Sequence, residues 1–208
     1  MELTFEESRV LGVLLEKEKT TPEYYPMTVN GILTACNQKS ARNPVVLFNE
    51  EIVVEAIDGL KKRGLVLTVT GGGSRTIKYK HNAGIVLDLE TSEEAVLCLL
   101  LLRGPLTPGE INSNSARLYE FSELAEIVSL LDNLRSREEA LVQLLPKRAG
   151  QKEARYAHLL CGEINLDDFV DDSPTVLVKS PTYAELEARV EMLEIRLKSL
   201  EEKLSDLL

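Results

Sequence analysis

Two stretches of this 208-residue chain, beginning at Thr4 and at Thr91, run through the same succession of signals, and that repetition narrows the fold more than any other feature. The first reads Thr4-Phe5-Glu6-Glu7 and then Val10, Leu11, Val13, Leu14 and Leu15. The second reads Thr91-Ser92-Glu93-Glu94 and then Val96, Leu97 and Leu99 to Leu102. In each, a threonine three residues ahead of a glutamate forms the capping-box pattern that satisfies free amides at a helix start. Each first helix is expected to stop at a Thr-Pro, Thr21-Pro22 in one copy and Thr107-Pro108 in the other. A second helix is expected from about Thr28 to Gln38 and from about Pro108 to Leu118, with a proline near each start, where its missing N–H does no harm.

The third helix of each copy has the clearest periodicity. Asn49 is placed to cap a segment carrying Ile52, Val53, Ala56, Ile57 and Leu60, and Ser122 one carrying Leu124, Ile127, Val128, Leu131 and Leu134. Both end in basic residues, Lys61-Lys62-Arg63-Gly64 and Arg135-Ser136-Arg137. A hairpin is expected next: Leu65 to Thr70 is rich in β-branched residues, Gly71-Gly72-Gly73-Ser74 can turn, and Arg75 to Lys80 alternates Ile77 and Tyr79 with charge. In the second copy, Leu141 to Leu145 and Ala154 to Leu159 flank a loop containing Gly150. Three helices closed by a two-stranded ribbon is the winged-helix plan. The expected fold class is therefore mainly α with small β-ribbons, an α+β chain of two tandem winged-helix domains plus a C-terminal coiled-coil helix. Residues 1–82 and 83–162 are the two domains, 163–181 an acidic linker and 182–208 the coiled-coil helix.

The hydrophobic content of 44% supports one large core or two small ones, and two small domains plus an appendage is the first expectation. The acidic start Met1 to Glu7 has no signal-peptide pattern, and the longest apolar run, Ala95 to Leu102, is far short of a membrane span, so a cytoplasmic protein with no membrane partner is expected. Cys36, Cys98 and Cys161 match neither a disulfide framework nor a zinc spacing and read as reduced thiols. The net charge of −10 is uneven. Residues 163–208 hold 12 acids and 5 bases, which leaves 22 acids and 19 bases for residues 1–162, a nearly neutral body.

Leu14-Leu15-Glu16-Lys17, Thr20-Thr21-Pro22-Glu23-Tyr24-Tyr25-Pro26, Val29-Asn30-Gly31, Thr34 to Lys39 and Asn43-Pro44-Val45 closely resemble the bacterial YceH-like family. So do Leu102-Arg103-Gly104, Thr107-Pro108-Gly109-Glu110 and Arg117 to Phe121. The resemblance covers about residues 3–162 and implies a tandem winged-helix fold. It brings no catalytic or binding residues with it.

A catalytic reading finds no support. His81 and His158 each follow a last strand, away from any Cys, Asp or Glu at ligand spacing, and Ser113 and Ser115 have no base nearby. Gly71 to Arg75 lacks the end of a phosphate loop and reads as a wing tip. No enzyme activity, cofactor or metal is expected. Nucleic-acid binding fares better, because Lys61 to His81 holds six bases and no acid, while Arg135 to Arg155 holds six bases against three acids. The candidate phosphate contacts are Lys39, Arg42, Lys62, Arg63, Arg75, Lys78 and Lys80, with Arg148 and Lys152 in the second copy. Opposing this, both third helices start acidic, Asn49-Glu50-Glu51 and Ser122-Glu123 with Glu126. The leading expectation is a non-enzymatic, DNA-binding or transcription-regulating dimer that uses basic wings. The alternative is a protein-interaction scaffold without DNA binding, and the polar run Asn37 to Pro44 is a candidate surface under either.

From Tyr183 the apolar spacing is strictly heptad, with Tyr183, Val190, Leu197 and Leu204 at a and Leu186, Leu193, Leu200 and Leu207 at d. Position e holds Glu187, Glu194 and Glu201, and position g holds Arg189, Arg196 and Lys203. This sorting favours a parallel homodimer joined at Leu186, Val190, Leu193, Leu197, Leu200 and Leu204. A trimer, or a lone helix folded back on the body, remains open.

Overall fold

The computed structural model describes residues 2–71, 74–147 and 152–162, so the expected linker and heptad tail lie outside the described residues. Thr4 caps α1 (Phe5–Thr20) as its sequence predicts. Its Oγ1 accepts from the Glu7 N–H at 3.2 Å, and the Glu7 carboxylate accepts from the Thr4 N–H at 2.8 Å. A single 3-10 turn over Pro22–Tyr24 leads to α2 (Val29–Cys36), capped by Thr28, and then to α3 (Glu50–Lys62), where Asn49 Oδ1 accepts from the Ile52 N–H at 3.0 Å. β1 (Val66–Gly71) and β2 (Ser74–His81) pair antiparallel, with Val66 opposite His81 and Val69 opposite Lys78. After the short α4 (Ala83–Val86) the series repeats as α5 (Thr91–Arg103), α6 (Pro108–Ser115), α7 (Leu124–Arg135), β3 (Val142–Leu144) and β4 (Tyr156–His158). The described residues thus form a mixture of helices with two small, separate two-stranded antiparallel sheets.

Each ribbon gains a third edge that the sequence pattern does not announce. Met27 exchanges backbone hydrogen bonds of 3.0 and 2.7 Å with Tyr79, and Leu106 exchanges bonds of 3.0 and 2.8 Å with Tyr156. The equivalent points of the two copies are therefore Pro26-Met27-Thr28 and Pro105-Leu106-Thr107. This corrects the expectation built on Thr-Pro: α5 ends earlier, at Arg103 with Gly104 as its C-cap, and Thr107-Pro108 opens α6. Two caps also move by one residue. α5 is capped at Glu90, not Thr91, with the Glu90 N–H on the Glu93 carboxylate at 3.0 Å. Both registers satisfy the three-residue spacing, and Glu94 instead turns to Lys19 at 3.7 Å. α7 is capped at Glu123, not Ser122, whose N–H and hydroxyl both bond the Glu126 carboxylate at 2.9 Å.

Residues Glu7 to Leu15 of α1 and Ala95 to Leu102 of α5 are buried without interruption. A helix apolar on every side needs neighbours on every side. Each finds them between its own module and the other: α1 packs on α2, α3 and α5, and α5 packs on α1, α6 and β4. The two helices meet closely at Gly12, where an added Cβ would stand 2.9 Å from Leu102 Cδ2 and 3.0 Å from Leu101 Cβ. Among the described residues one apolar cluster consequently runs from Leu3 to Leu160. Each leucine buried in it contributes ~1.5–3 kcal/mol.

Candidate functional site

Positive charge is the main sequence argument for phosphate binding, so the position of each cation decides what the surface can take. Arg42 is not on the surface. Its side chain is 0% exposed, and all five N–H donors of its guanidinium are engaged. It bonds Glu16 twice at 2.6 and 3.0 Å, Ala35 O at 3.2 Å, Ala41 O at 2.9 Å and Gln38 Oε1 at 3.1 Å. Burial acts to raise the Glu16 carboxyl, but Arg42, with Lys17 beside it, outweighs burial and holds it below the ordinary carboxylate range.

Arg63 is also engaged, bonding the Glu7 carboxylate at 2.7 Å and the carbonyls of Gly59 and Glu2 at 3.1 Å. A Cβ at Gly59 would run into that carboxylate, which accounts for a glycine in the middle of α3. The second copy repeats the brace. Arg137, just past α7, holds Glu93 in the first turn of α5 through two bonds of 2.8 Å. The basic clusters at the ends of the third helices thus fasten them to the first helices. Arg155 is likewise closed on Glu110 at 2.6 and 2.7 Å.

Of the other predicted contacts, Lys39, Lys62 and Lys80 are exposed and Lys78 is half-buried, and among the described residues none of the four has an ion pair. Lys78 and Lys80 lie on the same face of the ribbon as Leu67 and Val69, opposite which they pair. Lys78 also lines a groove of about 480 Å³ beside α2, together with Lys17, Tyr24 and Met27. Arg75 belongs to β2, Lys152 is exposed, and Arg148 lies outside the described residues. So do Leu186, Val190, Leu193, Leu197, Leu200 and Leu204.

The exposed face of α3 is acidic. Glu50, Glu51, Glu55 and Asp58 all stand in solvent, with Lys61 and Lys62 only at the last turn. An open groove of about 960 Å³ separates this helix from the first turn of α1; its walls carry Glu6, Glu51, Glu55 and Asp58, with Ile52 and Val54 between them and Lys62 at one end. The connection from α2 to α3 contributes an apolar run that sequence reasoning passed over, Pro44 to Phe48, in which Leu47 is 92% exposed and Val45 55%. Five apolar residues in a row, just ahead of a helix cap, would have been its signal. Beneath it lies Arg9, 0% exposed, whose Nη2 donates to Pro44 O at 2.7 Å while Nε and Nη1 have no partner.

Among the described residues no group of three or more His, Cys, Asp or Glu is arranged to hold a metal ion. His81 Nε2 donates to the Glu18 carboxylate at 3.0 Å. Burial pushes the His158 imidazole down to about 4 and the Cys36 thiol up to about 12. No helix among the described residues is long and apolar enough to cross a membrane.

Comparison with known sequences agrees with the resemblance drawn from residues 3–162. The family described as "Protein of unknown function, DUF480" matches residues 3–151. The UPF0502 protein YceH of Escherichia fergusonii is 45% identical over 213 residues, spanning 100% of this chain and 96% of its own length. A UPF0502 protein of Shewanella sp. (strain MR-4) is 41% identical over 218 residues, spanning 100% of this chain and 98% of its own.

Proposed function

The chain belongs to the DUF480 family of UPF0502 proteins, and we propose that it is a non-enzymatic protein-interaction scaffold made of two winged-helix modules. The winged-helix assignment is supported by the twice-repeated order of three helices and a ribbon. The isolated antiparallel bridges that Met27 and Leu106 make to the ribbon edge at the equivalent point of each copy support it further. In an ordinary winged helix the third helix enters the major groove. The observation that carries the scaffold reading is the face α3 turns outward, where Glu50, Glu51, Glu55 and Asp58 would meet phosphate with like charge. Arg42 and Arg63, which would have offset them, are bonded within the fold.

Retention on random-sequence 30-base-pair duplex DNA, measured by fluorescence anisotropy at 50 and 200 mM salt, tests this. The scaffold shows no salt-dependent retention even at ~10⁻⁴ M, the weak end of what sequence-independent phosphate contact gives. Binding that falls steeply with salt would overturn it in favour of the second reading, DNA contact through the first wing. The presence of Lys78 and Lys80 on one ribbon face favours that alternative. In that case Arg75→Ala, Lys78→Ala and Lys80→Ala together flatten the salt slope by up to ~3, about 0.9 for each phosphate that is no longer neutralised.

A further inference from the structure

In the run Pro44-Val45-Val46-Leu47-Phe48, Pro44, Val45 and Leu47 are exposed while Val46 and Phe48 are half-buried, and the run is tied down at both ends. The Asn37 side chain brackets Phe48 from both sides, donating to its carbonyl at 2.9 Å and accepting from its N–H at 2.8 Å. Arg9 holds the Pro44 carbonyl, and the Asn43 N–H reaches Leu102 O at 2.8 Å. Apolar residues fixed outward in this way are a recognition feature, since a run this long is otherwise hidden, and a surface ordered in advance loses little freedom on binding. At its end Phe48 meets Phe5 edge-to-face, with ring centroids 6.2 Å apart. Phe5 is 41% exposed and does not itself line the acidic groove, but its chain neighbours Thr4 and Glu6 do. Through Phe5 the apolar loop lies next to the α1 end of the groove.

We propose that this surface docks a basic amphipathic helix of another protein, laid along the groove between α1 and α3. The proposal rests on the scaffold reading and names its partner by chemistry. Leucine-type side chains at helical spacing would meet Leu47, Phe5 and Val54, and Lys or Arg on the flanks would meet Glu6, Glu51, Glu55 and Asp58. Lys62 at one end sets a limit to the acidic stretch. A second copy of the same surface is a poor occupant, because a two-fold contact would set carboxylates against carboxylates.

The test uses the full chain and a synthetic 18-residue helix of leucine and lysine at helical spacing, with its leucine–glutamate counterpart as control, followed by fluorescence anisotropy at 150 mM salt. The lysine peptide binds and the glutamate peptide does not. Leu47→Ser weakens binding about tenfold or more, as does the pair Glu51→Lys and Glu55→Lys, the size of effect expected at a central contact. The pair Glu138→Lys and Glu139→Lys alters net charge equally at exposed positions that do not line the groove and leaves affinity within about twofold, as expected where salt screens charges that make no contact. All variants change exposed residues, and unaltered melting confirms that they fold. The proposal is overturned if wild type fails to bind the lysine peptide, if Leu47→Ser has no effect, or if the two charge reversals weaken binding alike. Such a failure without DNA retention rejects the groove alone, whereas salt-sensitive DNA retention rejects the scaffold.

Discussion

Replacing Arg42 by methionine separates a surface phosphate contact from a structural brace. If Arg42 served phosphate, Arg42→Met would leave stability unchanged. The structure requires otherwise. The substitution strands the Glu16 carboxylate, only 15% exposed, with Lys17 at 3.2 Å as its remaining partner. Breaking a buried pair from one side costs about 3–5 kcal/mol, and the partial rescue by Lys17 places this case near 3. For a chain of this size that is a fall in Tm of about 6–12 °C. Glu16→Met is milder, because three neutral acceptors, the carbonyls of Ala35 and Ala41 and Gln38 Oε1, still hold the guanidinium. The double variant should be no less stable than Arg42→Met, giving a coupling of about 2–3 kcal/mol in the cycle. Urea unfolding at pH 7 measures all four corners. The pH dependence adds a check. Glu16 has its folded value below the ordinary 4.5, so its stabilisation is complete above that value and is lost as pH falls through the folded one. The gap between wild type and Arg42→Met should therefore close in acid. Additive single costs, or a gap that widens below pH 4, would refute the reasoning.

Gly12→Val tests the shared core: pressing a branched side chain onto Leu101 and Leu102 should cost about 1–3 kcal/mol. Hydrogen exchange should then accelerate in α6 and α7 as well as in the first module, and unchanged protection there would mean that the two halves unfold independently. For the tail, the heptad sequence predicts a parallel homodimer that dissociates when Leu193→Asp and Leu200→Asp place carboxylates in the seam. Light scattering at micromolar concentration checks this, and a wild-type mass of one chain would refute it.

The repeat was legible because both copies must satisfy the same local physics: caps, apolar periodicity and a turn-bearing ribbon each leave a short-range trace. The registration of the copies was not, because of the two Thr-Pro pairs Thr107-Pro108 opens an α-helix and Thr21-Pro22 only a single 3-10 turn. The isolated bridges at Met27 and Leu106 are fixed by partners some fifty residues away, Tyr79 and Tyr156, which no local pattern reports. The long buried faces of α1 and α5 were visible as apolar runs, but a run does not say whether it faces one neighbour or two modules.

Charge was the least legible property, and the reason is geometric. An arginine following a helix looks the same in sequence whether it faces solvent or reaches back to the first turn of another helix, as Arg63 does to Glu7 and Arg137 to Glu93. These two braces are a property of the repeat, since both copies need the third helix fastened to the first. Once they are set aside, what differs between the copies is what remains on the third helix. α3 offers carboxylates beside an apolar loop, whereas α7 exposes Leu124, Ala125, Val128 and Ser129. One framework thus carries two unlike outer helices. A phosphate backbone presents the same chemistry to each and gives no reason for that difference, whereas under the proposed scaffold reading each helix would meet a partner of its own.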